Sequence, residues 1–201
     1  MKCKFCQNKL KPFMSFGKMP MANGFLKKKD FKKEFFYKLE VGFCKKDYLF
    51  QVNNHPRSPH IFNNQYPFYT EKSAYMVDHF KKYFKWIKKK FIKKNSKIIE
   101  IGSNDGTFLK FFKESNISHL GIEPSANVAK YSRKKGLNVL NNFFCFDTVK
   151  KLKKYKNSTE VICAANVICH IPKINDLIRS VKHLMSDTGV FIFEEPYLGS
   201  M

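Results

Sequence analysis

The sequence predicts an α/β fold in which a parallel sheet is preceded by a small cysteine-bearing module. From residue 97 onward, short apolar runs of strand length alternate with helical segments, which is the pattern of a doubly wound parallel sheet. The first 58 residues are instead punctuated by glycine and proline. Because 43% of the 201 residues are hydrophobic, the chain can bury a core.

Residues 1–58 are expected to be loop-like, with short strands at residues 35–43 and 48–52. A module this small and irregular is usually held together by a metal ion or by disulfides. No membrane span or signal peptide is predicted, so the expected location is the cytoplasm. Six cysteines in that compartment are interpreted as metal ligands, free thiols or core residues, and Cys145, Cys163 and Cys169 are expected in the core.

Residues 59–96 are predicted to form an aromatic segment followed by a connecting helix. Residues 60–75 show no clear period, whereas from residue 75 to 94 apolar side chains recur at helical spacing with lysines on the other face. The stripe is interpreted as core packing. It consists of Val77, Phe80, Phe84, Ile87 and Phe91.

Residues 97–201 are predicted to form the sheet domain. Strands are expected at 97–102, 118–123, 137–140, 160–165 and 189–194, and helices near 106–114, 126–135, 146–154 and 173–185. The chain ends just after the fifth strand, which leaves an apolar strand at the edge of the predicted sheet. We therefore expect an N-terminal piece of a longer protein, or a partner that covers this edge.

The turn after the first of these strands predicts a cofactor site. Gly102 and Gly106 bound it, and Glu123 ends the next strand 21 residues after Gly102, close to the roughly 20 residues typical of the acid that binds a ribose. Glu100 and Asp105 flank the turn. Carboxylates suit a cationic ligand, and S-adenosylmethionine carries a sulfonium and an ammonium group. The sequence therefore predicts methyl transfer from this cofactor in a Rossmann-like domain.

Six motifs then occur in order along the chain, and together they resemble the S-adenosylmethionine-dependent sugar C-methyltransferases. These enzymes act on nucleotide-linked 4-keto-deoxysugars, and the resemblance extends over essentially the whole sequence. The motifs are Cys3-x-x-Cys6, Pro20-Met21-Ala22-Asn23, the run from Glu100 to Thr107, the run from Gly121 to Ala129, Ala165-Asn166-Val167 with His170, and Glu195-Pro196-Tyr197-Leu198.

The resemblance implies a zinc module, a class I methyltransferase domain and a C-terminal domain that is missing here. In the implied reaction a base removes the proton beside the sugar ketone, and the enolate takes the methyl group. His170 is the predicted acid/base residue, and Tyr66, with Tyr69 as a weaker candidate, is predicted to bind substrate or donate to the enolate. The predicted cofactor residues are Glu100, Gly102, Ser103, Asn104, Asp105, Gly106, Glu123, Pro124, Asn142, Phe143 and Asn166, with Asn141 beside them.

The resemblance also implies a zinc site, with one departure from the family pattern. The second Cys-x-x-Cys pair of the family is replaced by Cys44-Lys-Lys-Asp47. Zinc bound by Cys3, Cys6, Cys44 and Asp47 is chemically possible, because carboxylate oxygen is a zinc ligand. A decayed site that no longer binds metal is the alternative.

Three other functions stay open at this level. The same fold could methylate oxygen or nitrogen on another small molecule, and the chain could be a non-catalytic remnant or a subunit that completes a complex with a separate chain supplying the missing domain. A net charge of +22 suggests nucleic-acid binding as the third function. Only three of the 38 basic residues are arginine, and lysine is spread along the whole chain, so a nucleic-acid partner is not expected. A positive field would still attract a phosphorylated substrate such as a nucleotide sugar.

Overall fold

The computed structural model describes residues 1–22 and 24–200. Asn23, which belongs to the predicted Pro20–Asn23 motif, and Met201 lie outside the described residues. The chain forms two compact units. The first comprises Met1–Phe62 with Pro172–Asn175, and the second comprises Asn63–Ile171 with the residues from Asp176 onward.

The first unit is built on an antiparallel sheet in the order β1-β2-β3. Its strands are β1 (Pro12–Pro20), β2 (Phe36–Cys44) and β3 (Leu49–Val52), with a 3₁₀ turn at Lys28–Lys33 and a one-turn helix α1 (Ser58–Ile61). The two predicted strands are confirmed, but the prediction missed β1. All nine of its residues are exposed. Apolar and polar residues do not alternate along it, so the sequence lacks the pattern of a half-buried strand, and the strand is defined by its backbone pairing with β2.

The second unit contains a five-stranded sheet in the order β6-β5-β4-β7-β8, with every pair parallel. This confirms the predicted fold class. The strands are β4 (Lys97–Ile101), β5 (Ser118–Ile122), β6 (Val139–Leu140), β7 (Thr159–Ala165) and β8 (Met185–Glu194). The helices are α2 (Ala74–Phe91), α3 (Thr107–Glu114), α4 (Ala126–Lys134), α5 (Phe146–Val149) and α6 (Ile174–Leu184), with 3₁₀ turns at Thr70–Lys72, Lys153–Tyr155, Ile168–His170 and Leu198–Ser200.

Four elements differ from their predicted bounds by two residues or more, and one of them is α2, which ends at Phe91 and not at residue 94. The third strand shortens to Val139–Leu140, and the predicted helix over 146–154 ends after Val149 because a 3₁₀ turn brings the side chain of Tyr155 into the core. The fifth strand begins early, at Met185, and an irregular register between the pairs at Thr159 and Val161 accommodates the added residues. These are differences in length, and the order of elements is as predicted.

Apolar layers cover both faces of the parallel sheet. On one face, the predicted stripe of α2 places Phe80, Phe84 and Ile87 in a buried cluster with Phe108 and Phe112 of α3. The other face packs against α5 and α6 through a second cluster that includes Val149, Leu177, Val181 and Leu184. Phe91 packs against the same cluster, so the α2 stripe is core packing as predicted, except that Val77 is only partly buried and lies outside the cluster. In the part of the chain that the structure describes, no helix combines the length and the apolar character needed to cross a bilayer.

The three thiols expected in the core have different environments. Cys163 is 1% exposed inside the apolar cluster on the α2 face, as predicted. Cys145 is only partly buried, and Cys169 is exposed, so the prediction for Cys169 was wrong. Cys169 lies in the short 3₁₀ turn after β7, where the chain leaves the sheet.

Candidate cofactor site and metal cluster

The turn after β4 has the backbone conformation that the glycine spacing predicts. Gly102, Asn104 and Gly106 all have positive φ, at 68°, 47° and 78°. The Gly102 N–H donates to the Ile122 carbonyl at 2.8 Å, which joins the end of β4 to the end of β5. A Cβ atom at Gly102 would lie 2.6 Å from Cγ2 of Val167, so glycine is required there by both conformation and space.

Three predicted acids lie together beneath this turn. Glu100, Asp105 and Glu123 are 5%, 0% and 5% exposed. Burial, then Asp105 and Glu123, raise the pKa of Glu100 well above 4.5, and its Oε2 has no hydrogen-bond partner among the described residues. A nearby cation would favour the charged form of all three carboxylates. The cluster therefore fits a positively charged ligand.

Glu123 joins two of the turns at this edge of the sheet. Its carboxylate accepts from the Asn104 N–H at 2.9 Å and from the Ser125 N–H at 2.7 Å. Burial still raises its pKa above 4.5, because these bonds only partly offset the desolvation. The side chain of Asn141 donates to the carbonyls of Glu123 and Pro124, so Asn141 supports the turn.

Asp105 also supports the turn. One carboxylate oxygen accepts from the N–H and from the hydroxyl of Thr107, at 3.1 and 2.6 Å, and the other accepts from the Glu71 N–H at 2.9 Å. The hydrogen bonds from Thr107 attach the first turn of α3 to Asp105, which is fully buried. The contact with a cationic cofactor that the sequence predicts for Asp105 stays a prediction.

The remaining predicted residues follow the carboxyl ends of four neighbouring strands, as ligand-binding residues in such sheets do. Ser103 is buried against Gly121, while Asn142, after β6, is exposed and accepts from the Phe143 N–H at 2.9 Å. After β7, Asn166 and His170 are both exposed. Contact between Gly102 and Val167 brings this segment against the turn after β4.

Tyr66 and Tyr69 precede α2 in the chain and contact α4 through Asn127. The side-chain amide of Asn127 donates to the Tyr66 carbonyl at 2.8 Å and to the Tyr69 hydroxyl at 3.2 Å. Burial and the nearby Glu123 carboxylate raise the pKa of Tyr66, so its phenol is protonated at neutral pH. A protonated phenol beside Glu123 can donate a hydrogen bond to a ligand.

Sequence reasoning missed the group that holds this aromatic segment in place. The backbone N–H of Glu71 donates a hydrogen bond to Asp105. The carboxylate of Glu71 accepts hydrogen bonds from the hydroxyl of Tyr131 and from Nζ of Lys135, the latter at 2.5 Å. Nζ of Lys135 also donates to the Asp105 carbonyl at 3.2 Å. A signal was present, because Tyr131 and Lys135 are four residues apart on a predicted helix, but nothing in the sequence connects them to Glu71.

The Glu71 carboxylate should make stability depend on pH. Lys135, then Tyr131, lower its pKa below 4.5 in the folded chain, so its contribution is complete above about pH 4.5 and is lost as the pH falls through the lowered folded value. We expect Glu71→Gln to lower the free energy of unfolding by about 1 kcal/mol at pH 7, with the difference disappearing in acid. Urea denaturation from pH 3 to 7 measures it. Glu114→Gln, an exposed acid of α3, is the matched control; equal losses in both variants, or a loss unaffected by pH, would contradict the assignment.

The four predicted metal ligands form one cluster in the first unit. Their ligand atoms lie within 4.8 Å of one another: Sγ of Cys3, Cys6 and Cys44, and a carboxylate oxygen of Asp47. Oδ2 of Asp47 is 3.2 Å from the sulfurs of both Cys3 and Cys44, and the sulfurs of Cys6 and Cys44 are 3.7 Å apart. Two sulfurs on one tetrahedral zinc, each about 2.3 Å from the metal, would be about 3.8 Å apart. The donor set fits a structural zinc ion.

Gln51 holds the loop that carries two of these cysteines, and sequence reasoning missed it as well. Its side chain accepts from the Lys4 N–H at 2.9 Å and donates to the Lys2 carbonyl at 3.2 Å, so β3 fixes the backbone around Cys3. Hydrogen bonding with Asp47 is the main cause that raises the pKa of Cys6 to about 12. A divalent cation at the cluster would reverse this, since zinc binds the thiolate.

Family models match both parts of the chain. Residues 3–62 match a model described as a proposed zinc binding domain, and residues 74–200 match a model described as a methyltransferase domain. The C-methyltransferase NovU of Streptomyces niveus is 22% identical over 187 residues, which are 92% of this chain and 44% of NovU. The chain thus spans less than half the length of that relative.

Solved structures match the fold at low identity. The PH0226 protein of Pyrococcus horikoshii OT3 is 15% identical with a TM-score of 0.52, over 70% of this chain and 66% of its own. A SAM-dependent methyltransferase of Archaeoglobus fulgidus is 17% identical with a TM-score of 0.48, over 63% of this chain and 60% of its own. The match over residues 74–200, together with the glycine turn and the parallel sheet, identifies the chain as a member of the methyltransferase-domain family, with the Rossmann-like class I fold of S-adenosylmethionine-dependent methyltransferases.

Proposed function

We propose that the chain is the cofactor-binding part of an S-adenosylmethionine-dependent methyltransferase that acts on carbon in a nucleotide-linked 4-keto-deoxysugar. The observation that carries the cofactor assignment is the buried trio Glu100, Asp105 and Glu123 beneath the positive-φ turn at Gly102. Three carboxylates in a nearly dry site favour a cation, and an anionic pyrophosphate would be repelled there.

The residues present fit this cofactor. Glu100, whose Oε2 has no hydrogen-bond partner in the described part of the chain, and the backbone from Gly102 to Gly106 would hold the cationic methionine end. Glu123 would accept from the ribose hydroxyls, and Asn142 with Phe143 would lie beside the adenine. When bound, the cofactor supplies an electrophilic methyl group.

The finer reaction rests on the motifs and on the similarity to NovU. Removing the proton next to a ketone requires a general base, and His170 supplies an imidazole at the carboxyl edge of the sheet, in the motif-bearing loop after β7. Tyr66, protonated and next to Glu123, would donate to the enolate oxygen. Methylation of oxygen or nitrogen would depend less on His170 as a base.

Proton exchange tests the assignment of His170. Incubated in D₂O with a nucleotide-linked 4-keto-deoxysugar, the chain is expected to exchange the proton beside the ketone, and His170→Ala should slow this exchange about 100-fold or more. Deuterium incorporation is measured by mass spectrometry.

The matched control for this test is His183→Asn. His183 lies at the opposite edge of the sheet, where its carbonyl accepts the Asn157 N–H just before β7. Exchange by His170→Ala at the wild-type rate would rule out its role as the base. Methyl transfer that persists in His170→Ala would instead favour the oxygen or nitrogen methyltransferase.

A further inference from the structure

The loop after β7 carries Asn166 and His170 at the carboxyl edge of the sheet. Asn166 has a φ of 56°, and the 3₁₀ turn Ile168–His170 that follows is closed by the bonds from the His170 N–H to the Val167 carbonyl and from the Ile171 N–H to the Ile168 carbonyl, each at 3.0 Å. The N–H groups at the start of so short a turn need acceptors from elsewhere in the fold.

The carboxylate of Glu195 supplies these acceptors. Its Oε1 accepts from the N–H groups of Val167 at 2.8 Å and of Ile168 at 2.6 Å, and its Oε2 is 3.4 Å from the N–H of Cys169. Desolvation of the sulfur, then hydrogen bonding with Glu195, raises the pKa of Cys169 to about 12, although the residue as a whole is exposed. Donors from three consecutive residues thus converge on one side chain.

The position of Glu195 on the sheet explains why it can do this. It directly follows β8, whose last residue, Glu194, pairs with Ala165 of β7. The Glu194 carbonyl accepts a hydrogen bond from the Asn166 N–H at 2.7 Å. The next two N–H groups along the loop, those of Val167 and Ile168, donate to the Glu195 carboxylate. On the other side of the strand end, the Glu194 carboxylate is 2.9 Å from Nε2 of His79 on α2.

We propose that Glu195 is the positioning residue that holds the loop of His170 at the carboxyl edge of the sheet. The proposal deepens the proposed function, because it rests on the role assigned there to His170. Bonds from backbone N–H groups to a carboxylate are shorter and stronger than bonds to neutral acceptors. The Glu195-Pro196 motif, which the cofactor site leaves without a role, thereby has one.

Amide hydrogen exchange of the full chain, measured by NMR, tests this role. In Glu195→Ala we expect the amide protons of Val167 and Ile168 to exchange at least about tenfold faster and to lose the downfield shift of a charge-assisted bond. Glu195→Gln should give an intermediate result, because its amide oxygen still accepts. Asp187→Asn, the same change of charge on an exposed residue of β8, should match the wild type.

Two results would overturn the proposal: unchanged exchange at Val167 and Ile168 in Glu195→Ala, or an equal rise throughout β4 and β7 in both Glu195 variants, which would indicate a general loss of stability. In methyl transfer, Glu195→Gln should lower kcat while the KM for S-adenosylmethionine stays within about twofold. A wild-type chain that transfers no methyl group to any ketosugar would contradict the proposed function alone, because the exchange rates decide the role of Glu195 independently.

Discussion

Replacing Gly102 with alanine should weaken S-adenosylmethionine binding about tenfold or more, a loss of roughly 1.4 kcal/mol or greater. The φ of 68° disfavours a residue with a Cβ by about 1–2 kcal/mol. The new atom would also lie 2.6 Å from Cγ2 of Val167, a β-branched side chain with little freedom to move. Either the turn after β4 or the loop after β7 must shift, and both border the candidate site.

Gly136→Ala is the matched control for Gly102→Ala. Its φ of 73° imposes the same conformational strain, but the atom its Cβ would meet is Nζ of Lys113, which can move away. Both variants should therefore lose stability in urea denaturation, and only Gly102→Ala should lose affinity in calorimetry. Wild-type affinity in Gly102→Ala, or the same loss in both variants, would mean that the cofactor does not bind against this turn.

Zinc should be held by the first unit and lost when one of its buried thiols is removed. We expect about one zinc ion per wild-type chain, and Cys44→Ala should retain less than about a fifth of that, because two thiols and a carboxylate rarely hold a structural zinc. Cys44 is 2% exposed at the end of β2, so the empty cluster would also leave part of this small core unsupported. Elemental analysis of the purified chain measures the zinc content.

Two further variants sharpen this test. Cys169→Ala removes a thiol outside the cluster and should keep the full zinc content. Asp47→Cys completes a four-sulfur site, so its zinc should pass to a chelator more slowly than that of the wild type. A wild-type chain that contains no zinc after growth with added zinc would favour the decayed site.

The sequence predicts best where function or packing imposes a pattern on neighbouring residues. The α2 stripe predicted the packing of Phe80 and Phe84, because helical spacing directly encodes the buried face. The interval from Gly102 to Glu123 likewise predicted two neighbouring turns, since a βαβ unit of that length sets one strand end beside the next. The family resemblance, with Asp47 in place of a fourth cysteine, predicted the complete candidate metal cluster.

Prediction failed where the structure depends on partners distant in sequence. β1 has no apolar alternation, and its pairing with β2 is a property of the folded sheet. The bond from the Glu71 N–H to Asp105 spans 34 residues, and the bond from the Val167 N–H to Glu195 spans 28 residues, across a helix and a strand. Backbone N–H donors carry no residue identity, so a sequence cannot show which carboxylate they will contact.

Calorimetry of the wild-type chain with S-adenosylmethionine tests the central claim most directly. A site built from Glu100, Glu123 and the turn at Gly102 should bind about one cofactor per chain, with a Kd of about 1–100 μM, a range common for enzyme substrates. S-adenosylhomocysteine lacks the sulfonium charge, and it should bind more weakly if the buried acids favour the cation. No heat of binding up to about 1 mM cofactor, for a chain shown to be folded, would contradict the account.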